Sequence, residues 1–324
     1  MNAARRDAVT IFLALIWALG ARPAQAAENR DALRAVRHLA IQHNGRTKPF
    51  DSFAWEVLDR LTGSPRVERR DPVETVLSII ASPESWQDAP IISVPFLPLR
   101  EALGMGRKTT HISLNEIVAT RKLMRMLPAI AEKQQREEKL SMMEQETWDA
   151  FERFVLLNKL LEQELHLVPP PASATDPSWL PVLKPDGYPP QQQRAIRDAW
   201  TAFIVAAREG PRESLEPATR QLASLLAGLA PAREPAPWRL RLEVLYNRLA
   251  PFRIARWLYG FAVLGLLLGG LPRWRRAGAI AMGAMVAGFL VHVAGIAARV
   301  VLGERPPVSN FYETMLWLPF VAVV

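Results

Sequence analysis

The last seventy or so residues limit what this chain can fold into more than any other stretch. Two apolar runs, Ile254 to Leu271 and Ala279 to Val301, flank a short turn containing Arg273, Trp274, Arg275 and Arg276. Each run is about as long as the 18–20 helical residues that a hydrocarbon core of roughly 30 Å requires. A spanning segment must satisfy its backbone hydrogen bonds internally, so both runs are expected to be transmembrane helices. The arginine-rich turn between them is expected on the cytoplasmic side. A third apolar run begins after Gly303-Glu-Arg-Pro-Pro-Val-Ser-Asn-Phe-Tyr-Glu-Thr314 and reaches Val324. There, Pro307 stiffens the turn, Ser309 or Asn310 can cap the helix, and Glu313 lies in its first turn. Tyr312 and Trp317 suit a membrane interface.

The N-terminus agrees with this orientation. Arg5 and Arg6 precede a short apolar core, Ile11 to Leu19, and Ala24-Gln25-Ala26 has the small-x-small cleavage pattern. Residues 1–26 therefore read as an export signal, which places the following residues outside the cytoplasm. The chain has no cysteine. That excludes a disulfide framework, a Cys-x-x-Cys redox motif and any thiolate metal site, and it is compatible with an oxidising compartment. The net charge of +8 does not point to nucleic acid. The arginines are scattered or border apolar runs, where membrane topology explains them.

Residues 27–250 are expected to form a helical extracytoplasmic domain, since alternating strands of useful length are hard to find. In His43-Asn-Gly-Arg-Thr-Lys-Pro-Phe-Asp-Ser-Phe53, Asn44-Gly45 marks a turn and Pro49 favours an extended Lys48. Asp51 or Ser52 can cap a helix that Gly63 closes. Asp71-Pro72 opens another, and Ala89 to Leu99 reads as extended loop. Ser113-Leu-Asn-Glu116 has capping-box spacing and begins the longest helical stretch, reaching about Val168 with a bend or break near Pro128. Its second half carries Trp148, Phe151, Phe154, Val155, Leu160 and Leu161 at helical spacing, expected to pack into the core. Pro169 to Pro190 is loop. Helices follow at Gln191–Ala207 and Leu215–Leu229, then a proline-rich link and a last helix, Leu240–Leu249. The architecture expected is all-α: a helical extracytoplasmic domain, two complete transmembrane helices and the beginning of a third.

The soluble part offers no recognisable active site. His38, His43, His111 and His166 are scattered, without HExxH spacing or a nucleophile motif. Gly104-Met-Gly106 lacks the preceding strand and third glycine of a nucleotide loop. In the second apolar run His292 is an ionisable group at membrane depth, so it should face protein or ligand. Two readings stay open: a neutral imidazole hydrogen-bonded to a neighbouring helix, or contact with a haem through a ring nitrogen. Gly283, Ala287 and Gly288 allow close approach beside it.

Four segments together carry a family likeness: His43 to Phe53, Trp86-Gln-Asp-Ala-Pro90, Leu242-Glu-Val-Leu-Tyr-Asn-Arg248 and Pro306-Pro-Val-Ser-Asn-Phe-Tyr-Glu313. In these the chain resembles the CcsA-type component of system II cytochrome c biogenesis, in its long bacterial form. The matching positions are Asn44, Gly45, Arg46, Lys48, Pro49, Asp51, Tyr246, Asn247, Pro307, Asn310, Tyr312 and Glu313. The resemblance implies a multi-pass protein of the bacterial cytoplasmic membrane that carries haem to the outer face. There the family joins haem vinyl groups to the Cys-x-x-Cys-His thiols of apocytochrome c, with a ResB/CcsB-type partner. The family's haem site is a tryptophan-rich segment flanked by histidines, downstream of the helix that Asn310 to Glu313 begins. These 324 residues do not include it, so its ligands do not carry over and His292 does not inherit their role. Haem attachment is expected to need the remaining C-terminal part. The other expectation is a membrane-tethered periplasmic domain that binds an assembly partner or apocytochrome without catalysis.

Overall fold

The computed structural model describes residues 33–210, 212–269 and 275–303. The export signal, the third apolar run and the positions Pro307, Asn310, Tyr312 and Glu313 lie outside the described residues, as does most of the arginine turn. The chain divides into two compact units, with the division between Glu234 and Pro235.

The first unit starts with a short helix, α1 (Arg34–Arg37), and a hairpin, β1 (Ala40–His43) and β2 (Arg46–Pro49). The hairpin is antiparallel, pairing Ala40 with Pro49 and His43 with Arg46. Asn44 and Gly45 form its two-residue loop with φ of 51° and 72°. Two positive φ values match the right-handed twist of the flanking strands, the geometry for which Asn-Gly is preferred. The strands run directly into α2 (Phe50–Thr62), so the helix starts earlier than Asp51 or Ser52 would cap it. Pro49 is the N-cap residue, and Gly63 ends the helix in the left-handed region at φ 74°. The next helix, α3 (Pro72–Ala81), has Asp71 as its cap, with the carboxylate accepting from the Val73 amide at 3.0 Å.

The 89–99 segment is less irregular than expected. Ile92–Ser93 (β3) pairs with His111–Ile112 (β4), and α4 (Leu97–Leu103) already includes its end. The expected long helix is three helices: α5 (Leu114–Thr120), α6 (Lys122–Gln135) and α7 (Met142–Leu161). Arg121, at φ 52°, ends the first, and Glu137, at φ 55°, lies in the turn before the third. Pro128 does not break α6. It is exposed, where water can satisfy the carbonyl that its ring deprives of a donor. Capping boxes at Ser113–Glu116 and Ser141–Glu144 open α5 and α7. Glu144 also meets Lys133 Nζ at 2.7 Å. That contact and the Ser141 cap hold its carboxyl down at about 2.

Beyond α7, His166–Val168 (β5) pairs with Leu180–Pro181 (β6), and Tyr188 Oη donates to the Pro169 carbonyl at 2.8 Å. Two long helices close the unit, α8 (Pro190–Arg208) and α9 (Arg212–Leu229). Mostly helical as expected, the unit therefore also contains three two-stranded ladders among its described residues. Each has strands of four residues or fewer, too short for a periodic signal. The core sits where α2, α3, α7 and α8 meet, around Phe53, Leu58, Ile80, Leu157, Trp200 and Phe203. On α7 the fully buried side is Thr147, Ala150, Leu157 and Leu160, while Trp148, Phe151 and Phe154 are only half-buried. Gln163 fixes two elements at once: its Oε1 accepts from Trp200 Nε1 at 2.8 Å and its Nε2 donates to the Ile80 carbonyl at 3.1 Å.

The second unit contains α10 (Pro237–Leu249), α11 (Pro251–Gly269) and α12 (Arg275–Gly303). The 27–250 segment read as one domain thus ends in a helix, α10, that groups with the apolar pair. Ala250 separates α10 from α11 with φ 47° and ψ 62°, and Pro251 begins the new helix. At 1.5 Å per residue α11 is about 28 Å long, matching a hydrocarbon core, and α12 about 43 Å. Both helices are long and apolar enough to cross a membrane. Their surfaces are largely bare rather than packed: Leu267 is 73% and Ile280 74% exposed. A water-soluble core helix would hide such residues.

Candidate functional site

Two clusters hold the residues singled out by sequence, one in each unit. The first is the hairpin and the start of α2. Lys48, 3% exposed, points its Nζ at Glu56 Oε2, 2.5 Å away. Arg46 Nη2 is 3.9 Å from the other oxygen of the same carboxylate. Asp51 accepts from Arg37 Nη1 at 2.5 Å, while Arg37 Nη2 reaches Asp71 at 2.6 Å. One guanidinium thereby joins α1 to the first turn of α2 and to the cap of α3, a forked geometry that only arginine supplies. His43 packs edge-on against Phe53, with ring centroids 5.2 Å apart. Burial, then the nearby Lys48 charge, pushes its imidazole below the ordinary value, and burial does the same to His166.

This cluster clamps α1, the hairpin and the starts of α2 and α3 together. Arg37, Arg46, Lys48, Asp51, Glu56 and Asp71 each have an opposite charge within 4 Å. The remaining soluble histidines are also engaged. His38 Nδ1–H donates to the Arg34 carbonyl at 2.8 Å, and His111 Nε2–H to the Thr62 carbonyl at 2.9 Å. The 86–90 segment is stapled in the same way. Trp86 Nε1 donates to Ser78 Oγ at 3.2 Å, and Asn115 Nδ2 donates to Asp88 Oδ1 at 2.7 Å. Sequence reasoning did not single out Arg37, Glu56 or Gln163. Their partners are distant in sequence, and no spacing rule finds such pairs. One carboxyl stands apart: Glu234, pushed up to about 7 by burial, has an Oε2 without a hydrogen-bond partner among the described residues. Among the described residues no group of three or more His, Asp or Glu could hold a metal ion.

The second cluster is built where α11 and α12 pack antiparallel. Gly295 lies under Phe252, Gly288 under Tyr259, and Gly265 against Ala281. An added Cβ at Gly288 would sit 3.1 Å from the Tyr259 ring, and one at Gly295 the same distance from Phe252. His292 is on the same face, one turn from Gly288 and 4% exposed. Its ring meets Phe252 edge-on at 5.4 Å and Tyr259 at 6.1 Å, with Tyr259 Oη 3.4 Å from Nδ1. Tyr246 of α10 continues the aromatic series onto Phe252 at 6.4 Å. Of the three small residues expected to permit close approach, Gly288 does so. Gly283 and Ala287 are exposed, and Gly265 and Gly295 serve in their place.

Of the two readings of His292, this geometry favours the hydrogen-bonded imidazole. The ring is enclosed between two aromatic side chains, and the cluster formed by the described residues does not by itself fit a flat macrocycle. Tyr246 and Asn247 are both on α10, in the second unit, and Asn44 to Asp51 are in the first. No family model matches the chain, and no curated protein matches it.

Proposed function

We propose that this chain is a membrane-integrated component of system II cytochrome c maturation. In this reading it takes part in haem delivery and attachment to apocytochrome c at the outer face of the cytoplasmic membrane. It acts with a ResB/CcsB-type partner and with the further C-terminal helices that carry the family's haem segment. What carries the reading is the succession of four motif segments along the chain, the last of them following a pair of bare apolar helices of membrane length. Haem, when bound, supplies the vinyl groups that react with cysteine thiols. The chain's own described residues supply a rigid helical domain and the first two membrane passes. The test is genetic. Deleting the coding sequence should abolish haem-stained c-type cytochromes in membranes, while haem b proteins persist and the plasmid-borne gene restores the stain. Unchanged c-type staining in the deletion strain would refute the proposal.

A second reading is favoured by a specific observation, the full engagement of the charged and histidine side chains around the hairpin. On that reading the first unit is a docking domain, tethered by α11 and α12, that binds apocytochrome or an assembly partner without catalysis. It expects the deletion strain to lose cytochrome assembly only partially.

A further inference from the structure

The helix α10 presents an apolar stripe that the described residues of its own unit leave about half exposed. Trp238, Leu245 and Leu249 are each 50% exposed, and Leu242 lies between them on the same line. At 100° per residue these four fall within about 60° of one another. The opposite side of the helix carries its buried residues, Leu240 and Glu243. Near that side, Arg239 Nη2 approaches the Val301 carbonyl of α12 at 3.4 Å. Arg241 and Arg248 flank the stripe on one side and Arg239 on the other, its guanidinium 5.7 Å from the Trp238 ring centroid. The only acid in the helix is Glu243, 7% exposed and turned away from the stripe. The outward sector of α10 is therefore apolar at its centre and cationic at both margins.

Resting on the reading of α11 and α12 as membrane spans, we propose that α10 lies in the headgroup layer of the bilayer, with its arginines on anionic phospholipid. Two observations select this occupant. The first is continuity: Ala250 and Pro251 join α10 directly to the apolar helix α11, whose first turns add Arg253 and Arg256. The second is charge: a narrow apolar stripe between arginines is the pattern of an interfacial helix, where hydrophobic insertion and attraction to anionic lipid act together. Tryptophan at one end of the stripe has an amphipathic ring suited to headgroup depth. The left-handed Ala250 gives α10 a direction of its own, instead of continuing the axis of α11.

The experiment uses the full chain, reconstituted into phosphatidylcholine vesicles with and without phosphatidylglycerol. Single cysteines replace Leu245 or Leu249, or Leu264 on α11 as the control, each carrying a nitroxide. Collision with oxygen reports the lipid phase, and collision with a water-soluble nickel chelate the aqueous phase. With phosphatidylglycerol present, labels 245 and 249 should favour oxygen over the chelate several-fold. The preference should fall without phosphatidylglycerol, and also when Arg241→Gln and Arg248→Gln are combined. Labels 245 and 249 facing water in both lipids overturn the proposal. So does protection from both reagents, which would mean that protein covers the stripe. If label 264 also faces water, it is the membrane reading of α11 that has failed.

Discussion

At the scale of single residues, the hairpin loop was the most legible feature, because Asn-Gly encodes its own backbone geometry. Asn44 and Gly45 both adopt positive φ, a region that costs an ordinary L-residue about 1–2 kcal/mol. Asn44→Ala should therefore destabilise the first unit by about 1 kcal/mol, and Asn44→Gly should be close to neutral. Urea unfolding monitored by circular dichroism checks both. The neighbouring His43 gives a pH dependence. His43 and His166 are both held below their ordinary value, mainly by burial. As pH falls below about 6.5 the unfolded chain takes up protons before the folded one does. Stability should then decline with acidification and level off once the folded-state imidazoles are protonated. His43→Gln should flatten the slope of melting temperature against pH between 7 and 5. A slope unchanged by that substitution would mean that His43 is not the group responsible. The other members of the clamp, Arg37 and Glu56, were silent in the sequence, as was Gln163. Each works through partners brought near only by the folded chain.

At the scale of elements, helices with chemical punctuation were readable, and α8, α9 and α10, which lack a side-chain cap in the sequence reading, were still found close to their expected bounds. The caps Asp71 and Ser113 and the stop at Gly63 stand where sequence placed them. Pro128 misled because a proline on an exposed face can be tolerated, whereas Arg121, with no sequence mark, provides the real break. The ladders were missed because two to four residues carry no usable alternation. In the apolar pair, composition identified the helices, but the seam needed three dimensions: Gly283 and Gly288 look alike in sequence, and only Gly288 touches α11. This yields a matched pair of substitutions. Gly288→Leu should force Tyr259 and Leu258 aside, costing about 1–3 kcal/mol and loosening the enclosure of His292. Gly283→Leu, with open space around its Cβ, should cost little. Reversible unfolding of the membrane-embedded chain in mixed micelles would separate them, and equal losses would place the seam elsewhere.

At the scale of the whole molecule, the functional proposal depends on the side of the membrane that the first unit occupies. The proposed chemistry requires the outer side, because apocytochrome thiols meet haem there. The arginines do not decide this alone. Arg273 precedes α12 and Arg275 and Arg276 open it, but five others, Arg239, Arg241, Arg248, Arg253 and Arg256, gather around the start of α11. Counted simply, the larger group would be drawn inside. On the proposed orientation two effects offset it: an N-terminal export signal, expected from sequence, commits the long region after it to translocation, and long domains cross largely regardless of charge. The proposed seating of α10 on anionic lipid would give these five arginines counter-charges.

The most direct measurement exploits the absence of cysteine from the chain. Lys139→Cys marks an exposed turn of the first unit, and Gly278→Cys marks the start of α12 beside open space. Intact spheroplasts would be treated with a membrane-impermeant maleimide, before and after permeabilisation. Cysteine 139 should label at once and cysteine 278 only after the membrane is opened. The reverse pattern would put the helical domain in the cytoplasm, where it has no access to the outer-face reaction, and would contradict the functional reading.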